Sequence, residues 1–226
     1  MRHGEKEIRF EQTEPFALYP GEILIGAMTP LTVVEANKAL LLRANQDFID
    51  RATDPSKATE RVAGEEWLFE GPRTYFPQVQ VDVIETISAR IIGPNEALKV
   101  SAKRDFIDKN KQKRIAGEKW LIRQEGAYLP HISENIIELV KAVVLTEKKA
   151  LHLKAIQSFV DVFGKERKAG DEWLVTIKDK ETHIPDVYEK VVGEVNLITL
   201  SNRQYCIKSN PVDESMEQPG FLFLFC

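Results

Sequence analysis

Cysteine is almost missing from this chain: only Cys206 and Cys226 occur in 226 residues. Two cysteines cannot build a disulfide framework, and such sparse use suits a reducing compartment. Histidine is scarce as well. His3, His131, His152 and His183 show no metal-ligand spacing. There is no HExxH, no CxxC, no GxSxG and no glycine-rich phosphate loop; the glycines stand singly at expected turns. No catalytic residue is marked, so the expectation is a protein that is not an enzyme and uses no cofactor and no metal. No apolar run approaches the roughly 18 residues of a spanning helix, so no membrane partner is expected. Met1–Lys6 has no apolar segment behind it of the kind a secretory signal needs. Neither charge dominates. The 31 Lys+Arg face 35 Asp+Glu, a net charge of −4, which removes the electrostatic footprint of a dedicated nucleic-acid binder. What remains is 43% hydrophobic content, enough to build a core and too much for wholesale disorder.

Tryptophan is rare but ordered. The three tryptophans occur in Ala63-Gly64-Glu65-Glu66-Trp67-Leu68, Ala116-Gly117-Glu118-Lys119-Trp120-Leu121 and Ala169-Gly170-Asp171-Glu172-Trp173-Leu174, spaced 53 and 53 residues apart. Other phrases keep step. Ala39-Leu40, Ala97-Leu98 and Ala150-Leu151 open each unit. Phe48-Ile49-Asp50, Phe106-Ile107-Asp108 and Phe159-Val160-Asp161 follow, and Pro77, Pro130 and Pro185 close it. The first unit is longer because Asp50 to Gly64 spans 14 positions, against 9 in the other two. An insertion confined to one polar stretch marks a surface turn.

The pattern also runs beyond these copies. Leu18-Tyr19-Pro20 matches the closing phrase and Gln204-Tyr205-Cys206-Ile207 the opening one. The expected organisation is the back part of a repeat at 1–36, repeats at 37–94, 95–147 and 148–201, and a truncated start with an atypical tail at 202–226.

Period-2 patterning argues for strands. Leu98-Lys99-Val100-Ser101-Ala102 and Leu151-His152-Leu153-Lys154-Ala155 alternate apolar and polar residues. Residues 134–160, taken alone, would pass for a helix. The equivalent stretch after Pro77 is rich in Val, Ile and Thr, so strands are predicted throughout. The fold class is therefore all-β: a tandem array of small antiparallel sheets forming an elongated rod. A unit of about 53 residues is marginal alone, and stacked units share burial. Phe48, Trp67, Pro77, Phe106, Trp120, Pro130, Phe159, Trp173 and Pro185 are the expected structural core of the repeats.

Three features carry a second reading. The Asp-led turns, Asp50 with Asp54 and Asp108 with Asn110, faintly resemble calcium loops, but Gln112 and Lys113 stand where a ligand and a glycine belong. A hairpin turn favoured by Asp and Asn is the simpler account. The basic tips, Lys109, Lys111, Lys113 and Arg114, then Lys165, Arg167 and Lys168, lack an interleaved aromatic platform. They read as solvated tips or as lateral ion pairs to a neighbouring subunit. The repeated Trp reads as core, with a ladder of surface contact points as the other possibility.

Taken together these phrases resemble the major vault protein family. The resemblance lies in the opening Ala-Leu-x-Leu-x-Ala, the Phe-x-Asp, the Ala-Gly-[Glu/Asp]-x-Trp-Leu and the Tyr-x-Pro closing. Leu18-Tyr19-Pro20-Gly21-Glu22, Leu145-Thr146-Glu147-Lys148 and His183-Ile184-Pro185-Asp186-Val187 extend it, over about residues 5 to 213. It implies a structural subunit of the vault shell, a barrel-shaped cytoplasmic ribonucleoprotein particle with a nuclear fraction, whose walls are copies of one chain packed side by side. It further implies scaffolding of signalling proteins and nucleo-cytoplasmic transport. The implied partners are other copies, a vault poly(ADP-ribose) polymerase and a telomerase-associated protein, with vault RNA in the particle but not on this segment. The alternative is a repeat-based protein-binding module that forms no barrel. The sequence departs from the family at Pro219–Cys226, where an apolar tail is expected to form an exposed, aggregation-prone edge.

Overall fold

The computed structural model describes residues 4–10, 14–26, 28–51 and 58–209. The apolar tail and Cys226 lie outside the described residues. All regular structure among them is strand, so the stretch 134–160 that could have been helical is not.

Each repeat uses the same seven strands. The first has β1 (Thr32–Val34), β2 (Lys38–Ala44), β3 (Phe48–Asp50), β4 (Thr59–Arg61), β5 (Glu66–Glu70), β6 (Arg73–Tyr75) and β7 (Val81–Ser88). The second has β8 (Arg90–Ile92), β9 (Glu96–Ala102), β10 (Phe106–Ile107), β11 (Lys113–Arg114), β12 (Lys119–Ile122), β13 (Gly126–Tyr128) and β14 (Glu134–Lys141). The third has β15 (Val143–Val144), β16 (Lys149–Ala155), β17 (Phe159–Val160), β18 (Glu166–Arg167), β19 (Glu172–Val175), β20 (Thr182–His183) and β21 (Glu189–Asn196).

The pairing is the same in every copy. A three-stranded antiparallel sheet runs β5-β2-β7, β12-β9-β14 and β19-β16-β21. The third and fourth strands form a short hairpin, and the first strand pairs with the sixth. That last pairing starts each unit at 32, 90 and 143, five residues ahead of the expected 37, 95 and 148. The strands β1, β8 and β15 thus lie ahead of the limits read from the Ala-Leu landmark. A period read from sequence has no natural origin; pairing supplies one.

The alternation does what strand geometry requires. In β9 Ala97, Leu98, Val100 and Ala102 are buried while Lys99 and Ser101 face partly outward. The first core gathers Val34, Leu40, Leu42, Ala44, Trp67, Phe69, Tyr75 and Val81. The third gathers Leu145, Leu151, Leu153, Ala155, Trp173 and Val175. These are small clusters, as expected for units of this size.

The outer strand carries a β-bulge at one fixed place. Register slips between Leu41 and Leu42, between Ile136 and Glu138, and between His152 and Leu153. The unpaired residues are Ile84, Ile137 and Val192, which occupy equivalent positions. Turn chemistry repeats too. Asn37 and Asn95 take positive φ (63° and 60°) before β2 and β9, a conformation Asn tolerates. Arg203 stands at the matching place with φ 75°, and the Gln204 N–H donates to the Ser201 carbonyl at 3.1 Å. The opening turn of a fourth unit is therefore formed.

The chain divides into two compact units. One comprises residues up to Ile91 with Ala127–Ile132; the other comprises Ile92–Gly126 and the residues from Ser133 onward. Within the second unit the second and third repeats meet through Arg123 and Asp186, 3.0 Å apart.

Candidate functional site

The Ala-Gly-acid phrase makes the turn that delivers each tryptophan. Gly64, Gly117 and Gly170 hold φ of 84°, 83° and 93°, where a β-carbon is strained. Their N–H groups donate to the carbonyls of Ala44, Ala102 and Ala155 at 2.8, 2.8 and 2.9 Å. The following acid caps the same turn. Glu65 Oε2 accepts from the Val62 N–H at 3.2 Å, Glu118 Oε2 from Ile115 at 3.0 Å, and Asp171 Oδ2 from Lys168 at 2.8 Å. This tie between turn and central strand sets the position of the tryptophan.

Over each indole ring lies an arginine. Arg61, Arg114 and Arg167 hold their guanidinium carbons 4.3, 4.4 and 4.5 Å from the ring centroids of Trp67, Trp120 and Trp173. Such a contact is worth about 0.5–2 kcal/mol, more as water is excluded. A phenylalanine packs beside each ring. Phe48, Phe106 and Phe159 sit 6.4, 6.3 and 6.3 Å from Trp67, Trp120 and Trp173 by centroid.

The Phe-x-Asp aspartate completes the cluster. Asp161 Oδ1 accepts the N–H groups of Phe163 and Lys165, each at 2.9 Å, and its Oδ2 accepts Arg167 Nε at 2.8 Å. Asp108 repeats this: Oδ1 accepts from Asn110 at 2.8 Å and Gln112 at 2.9 Å, Oδ2 from Arg114 Nε at 2.9 Å. In the first repeat Arg61 Nε lies 3.6 Å from Asp50 Oδ2, and Gln78 Nε2 donates to Asp50 Oδ1 at 3.4 Å.

Electrostatics follows from this geometry. Burial by itself would raise the Asp108 carboxyl. The Gln112 N–H, the Arg114 guanidinium and the Asn110 N–H outweigh it and hold the group below the usual carboxylate range. Asp161 behaves alike, with burial outweighed by the Lys165 N–H, Arg167 and the Phe163 N–H. Burial, with the Asp50 carboxylate second, pushes the Tyr75 phenol up to about 12.

The turns led by Asp108 and Asp161 are therefore hairpins in which the carboxylates are engaged by backbone N–H groups and an arginine, while Asp54 of the first turn lies outside the described residues. A cation beside Asp108 or Asp161 would meet Arg114 or Arg167. Among the described residues no group of three or more His, Cys, Asp or Glu could hold a metal. The expected solvated tips need correction at two residues. The side chains of Arg114 and Arg167 turn inward and are only 14% and 10% exposed, because the aspartate and the indole face draw them in.

Trp67 and Trp173 are buried and Trp120 half-buried. Phe48, Phe106 and Phe159 are half-buried against them. The prolines scatter: Pro130 is buried, Pro185 half-buried and Pro77 exposed. In the first and third repeats the residue two before the proline, Tyr75 or His183, is buried, whereas in the second Tyr128 is half-buried and Pro130 is the buried one. His183 is paired: its Nε2 lies 2.7 Å from Glu189 Oε2, and Glu189 is buried too. His152 is engaged separately, 3.0 Å from Glu172 Oε2. The sequence reading missed the arginine, although it stands six residues before the tryptophan in every copy.

The arrangement is a structural clasp of arginine, tryptophan, phenylalanine and aspartate, hydrogen-bonded in the second and third repeats and looser in the first, where Arg61 Nε and Asp50 Oδ2 stand 3.6 Å apart. Comparison with known proteins agrees. A family model described as "Major Vault Protein repeat domain" matches residues 32–78, 90–131 and 143–186. A second model with the same description matches residues 1–28. The chain belongs to the major vault protein family. Major vault protein alpha of Dictyostelium discoideum is 57% identical over 213 residues, covering 94% of this chain and 24% of that protein. Major vault protein of Bos taurus is 50% identical over 212 residues, covering 94% and 23%. That of Homo sapiens is 49% identical over 212 residues, covering 94% and 23%. The chain thus spans about a quarter of the length of these curated relatives. The segments matched as vault repeats begin where the opening strands do, at 32, 90 and 143.

Proposed function

We propose that this chain is a wall segment of the vault particle shell, a structural element whose copies pack side by side. The observation that carries the reading is the clasp itself. Three repeats of a vault family chain spend their buried charges and aromatic rings on holding their own strands. The role is then mechanical: each repeat is a rigid tile, and chemistry is left to other molecules.

The partners in this reading are other copies of the chain. The particle also contains a poly(ADP-ribose) polymerase, a telomerase-associated protein and vault RNA, the RNA held away from this segment. Scaffolding of signalling proteins and nucleo-cytoplasmic transport are functions of the whole cytoplasmic particle and of its nuclear fraction. Electron microscopy of the native complex tests the proposal. The expected result is barrel-shaped particles labelled by an antibody to this chain; a protein found only outside such particles would refute it.

A second reading is a binding module without a barrel. The exposed Ile107 and Ile115 on one hairpin favour it. Replacing the hairpin tips with Gly-Ser and repeating a pull-down decides between them. Retained partner binding removes the module reading.

A further inference from the structure

One hairpin departs from its copies in charge. Residues 103–118 of the second repeat carry six Lys and Arg against three Asp and Glu, in a chain whose net charge is −4. The matching stretch of the third repeat, 156–171, holds three of each, and that of the first, 45–65, holds three against five. The three acids of the second hairpin are committed within it. Asp108 and Glu118 both bind Arg114, and Asp105 accepts the Ala116 N–H at 2.8 Å. Among the described residues Lys103, Lys111 and Lys113 make no ion pair.

Two positions show that the fold does not require this charge. Across each short ladder an exposed apolar residue faces one partner. Ile49 faces Glu60 and Val160 faces Glu166, but Ile107 faces Lys113. The charge is reversed at a structurally equivalent place. The second position is Lys111, which holds φ at 62°. The third repeat has Gly164 there, at 80°, in a turn closed by the same bond. The Lys111 N–H donates to the Asp108 carbonyl at 2.9 Å, and the Gly164 N–H to that of Asp161 at 3.0 Å. This left-handed conformation suits glycine and strains a lysine. A strained residue kept where glycine would serve points to a use for its side chain.

The hairpin has two faces. Phe106, Asp108 and Arg114 turn toward Trp120. The alternate residues Ile107, Lys113 and Ile115 point away, and the two isoleucines are 70% and 62% exposed. A ligand for this outer face offers carboxylates beside apolar side chains, as an acidic protein segment does. A single-stranded nucleic acid brings negative charge, but its bases find no ring to stack on, because Phe106 packs against Trp120.

We infer that the hairpin of the second repeat docks an acidic, partly apolar segment of another protein, with Lys111 and Lys113 as charge contacts and Ile107 and Ile115 as apolar ones. This goes beyond the wall-segment reading, since a rigid tile can carry such a site.

The test is fluorescence anisotropy at low salt. A fluorescein-labelled peptide of Asp and Glu with interspersed Leu is titrated with the 226-residue chain. The decisive variant is Lys111→Gly with Lys113→Glu. It writes the third repeat's residues into the second, so the hairpin keeps a sequence that folds there. The control, Lys178→Glu with Lys180→Gly, removes the same charge from exposed positions elsewhere. Ile107→Ser with Ile115→Ser probes the apolar contacts. Wild type is expected to bind one peptide per chain, more weakly as salt rises. The lysine variant should bind about 10-fold more weakly and lose most of the salt dependence. The serine variant should bind more weakly with its salt dependence kept, and the control should match wild type. No binding by wild type, equal binding by wild type and the lysine variant, or an equal loss in the control overturns the inference. So does tighter binding of single-stranded RNA or of anionic vesicles at the same lysines. In each case the wall-segment reading stands, because microscopy of the particle tests it separately.

Discussion

Replacing Asp161 with alanine should unfold the third repeat, and its magnitude can be worked out beforehand. The carboxylate is fully buried and receives three donors: the N–H groups of Phe163 and Lys165 and Arg167 Nε. Removing one partner of a buried charge pair costs about 3–5 kcal/mol, because the other charge is left uncompensated. Two orphaned backbone N–H groups push the loss toward the upper end. A unit of 53 residues at the usual stability per residue holds roughly 3–8 kcal/mol. The loss is therefore comparable with everything the repeat has. Asp161→Asn keeps an acceptor for the two N–H groups and removes only the charge, so it should weaken the repeat without melting it. Hydrogen exchange read by mass spectrometry checks this. In Asp161→Ala, protection should vanish across Phe159–Val175 and persist in the first repeat. In Asp161→Asn it should fall only in the turn. The same aspartates set an acid limit. Because Asp108 and Asp161 are held below their unfolded range, they stabilise the fold above about pH 4, and that contribution is lost as pH falls through their lowered values. Asp161→Asn should flatten this part of the stability–pH curve. An alanine variant that keeps wild-type protection and loses less than about 1 kcal/mol in urea would refute the clasp as the element that holds the repeat.

Three further outcomes follow from the same geometry. Arg114→Lys keeps the charge but loses the flat guanidinium over Trp120 and the geometry of its fork, so urea unfolding should show a loss of about 1–2 kcal/mol. Gly71→Ala would place a β-carbon 2.1 Å from the Glu35 carbonyl oxygen and 2.7 Å from that of Val34. Backbone must move, and a thermal scan should register about 1–3 kcal/mol of destabilisation. Glu189→Ala removes the carboxylate that meets buried His183 and accepts the Asp186 N–H, and should cost about 1–3 kcal/mol, whereas the double variant Glu189→Ala with His183→Leu should recover part of it. Equal losses in the single and double variants would remove this pair from the account.

The sequence alone determined the class of fold and the in-step recurrence of its phrases. Each is a one-dimensional signal. Period-2 alternation in Leu98–Ala102 and in Leu151–Ala155 dictates which face is buried. The repeat overruled helix propensity in 134–160, since a pattern kept in three copies outweighs local preference. The phrases themselves were enough to suggest the family. Tertiary structure decided what depends on who meets whom. Pairing of β1 with β6 sets where a repeat begins, and no period contains that information. The inward turn of Arg114 and Arg167 follows from a buried aspartate and an indole face brought together by separate strands; along the chain these residues read only as basic tips. Pro77 kept step with the buried Pro130 in sequence yet lies at the surface, because a turn residue can be retained for its φ angle alone. The bulge at Ile84, Ile137 and Val192 was invisible for the same reason as the clasp. An extra residue in a strand is defined only by the neighbour that fails to pair with it.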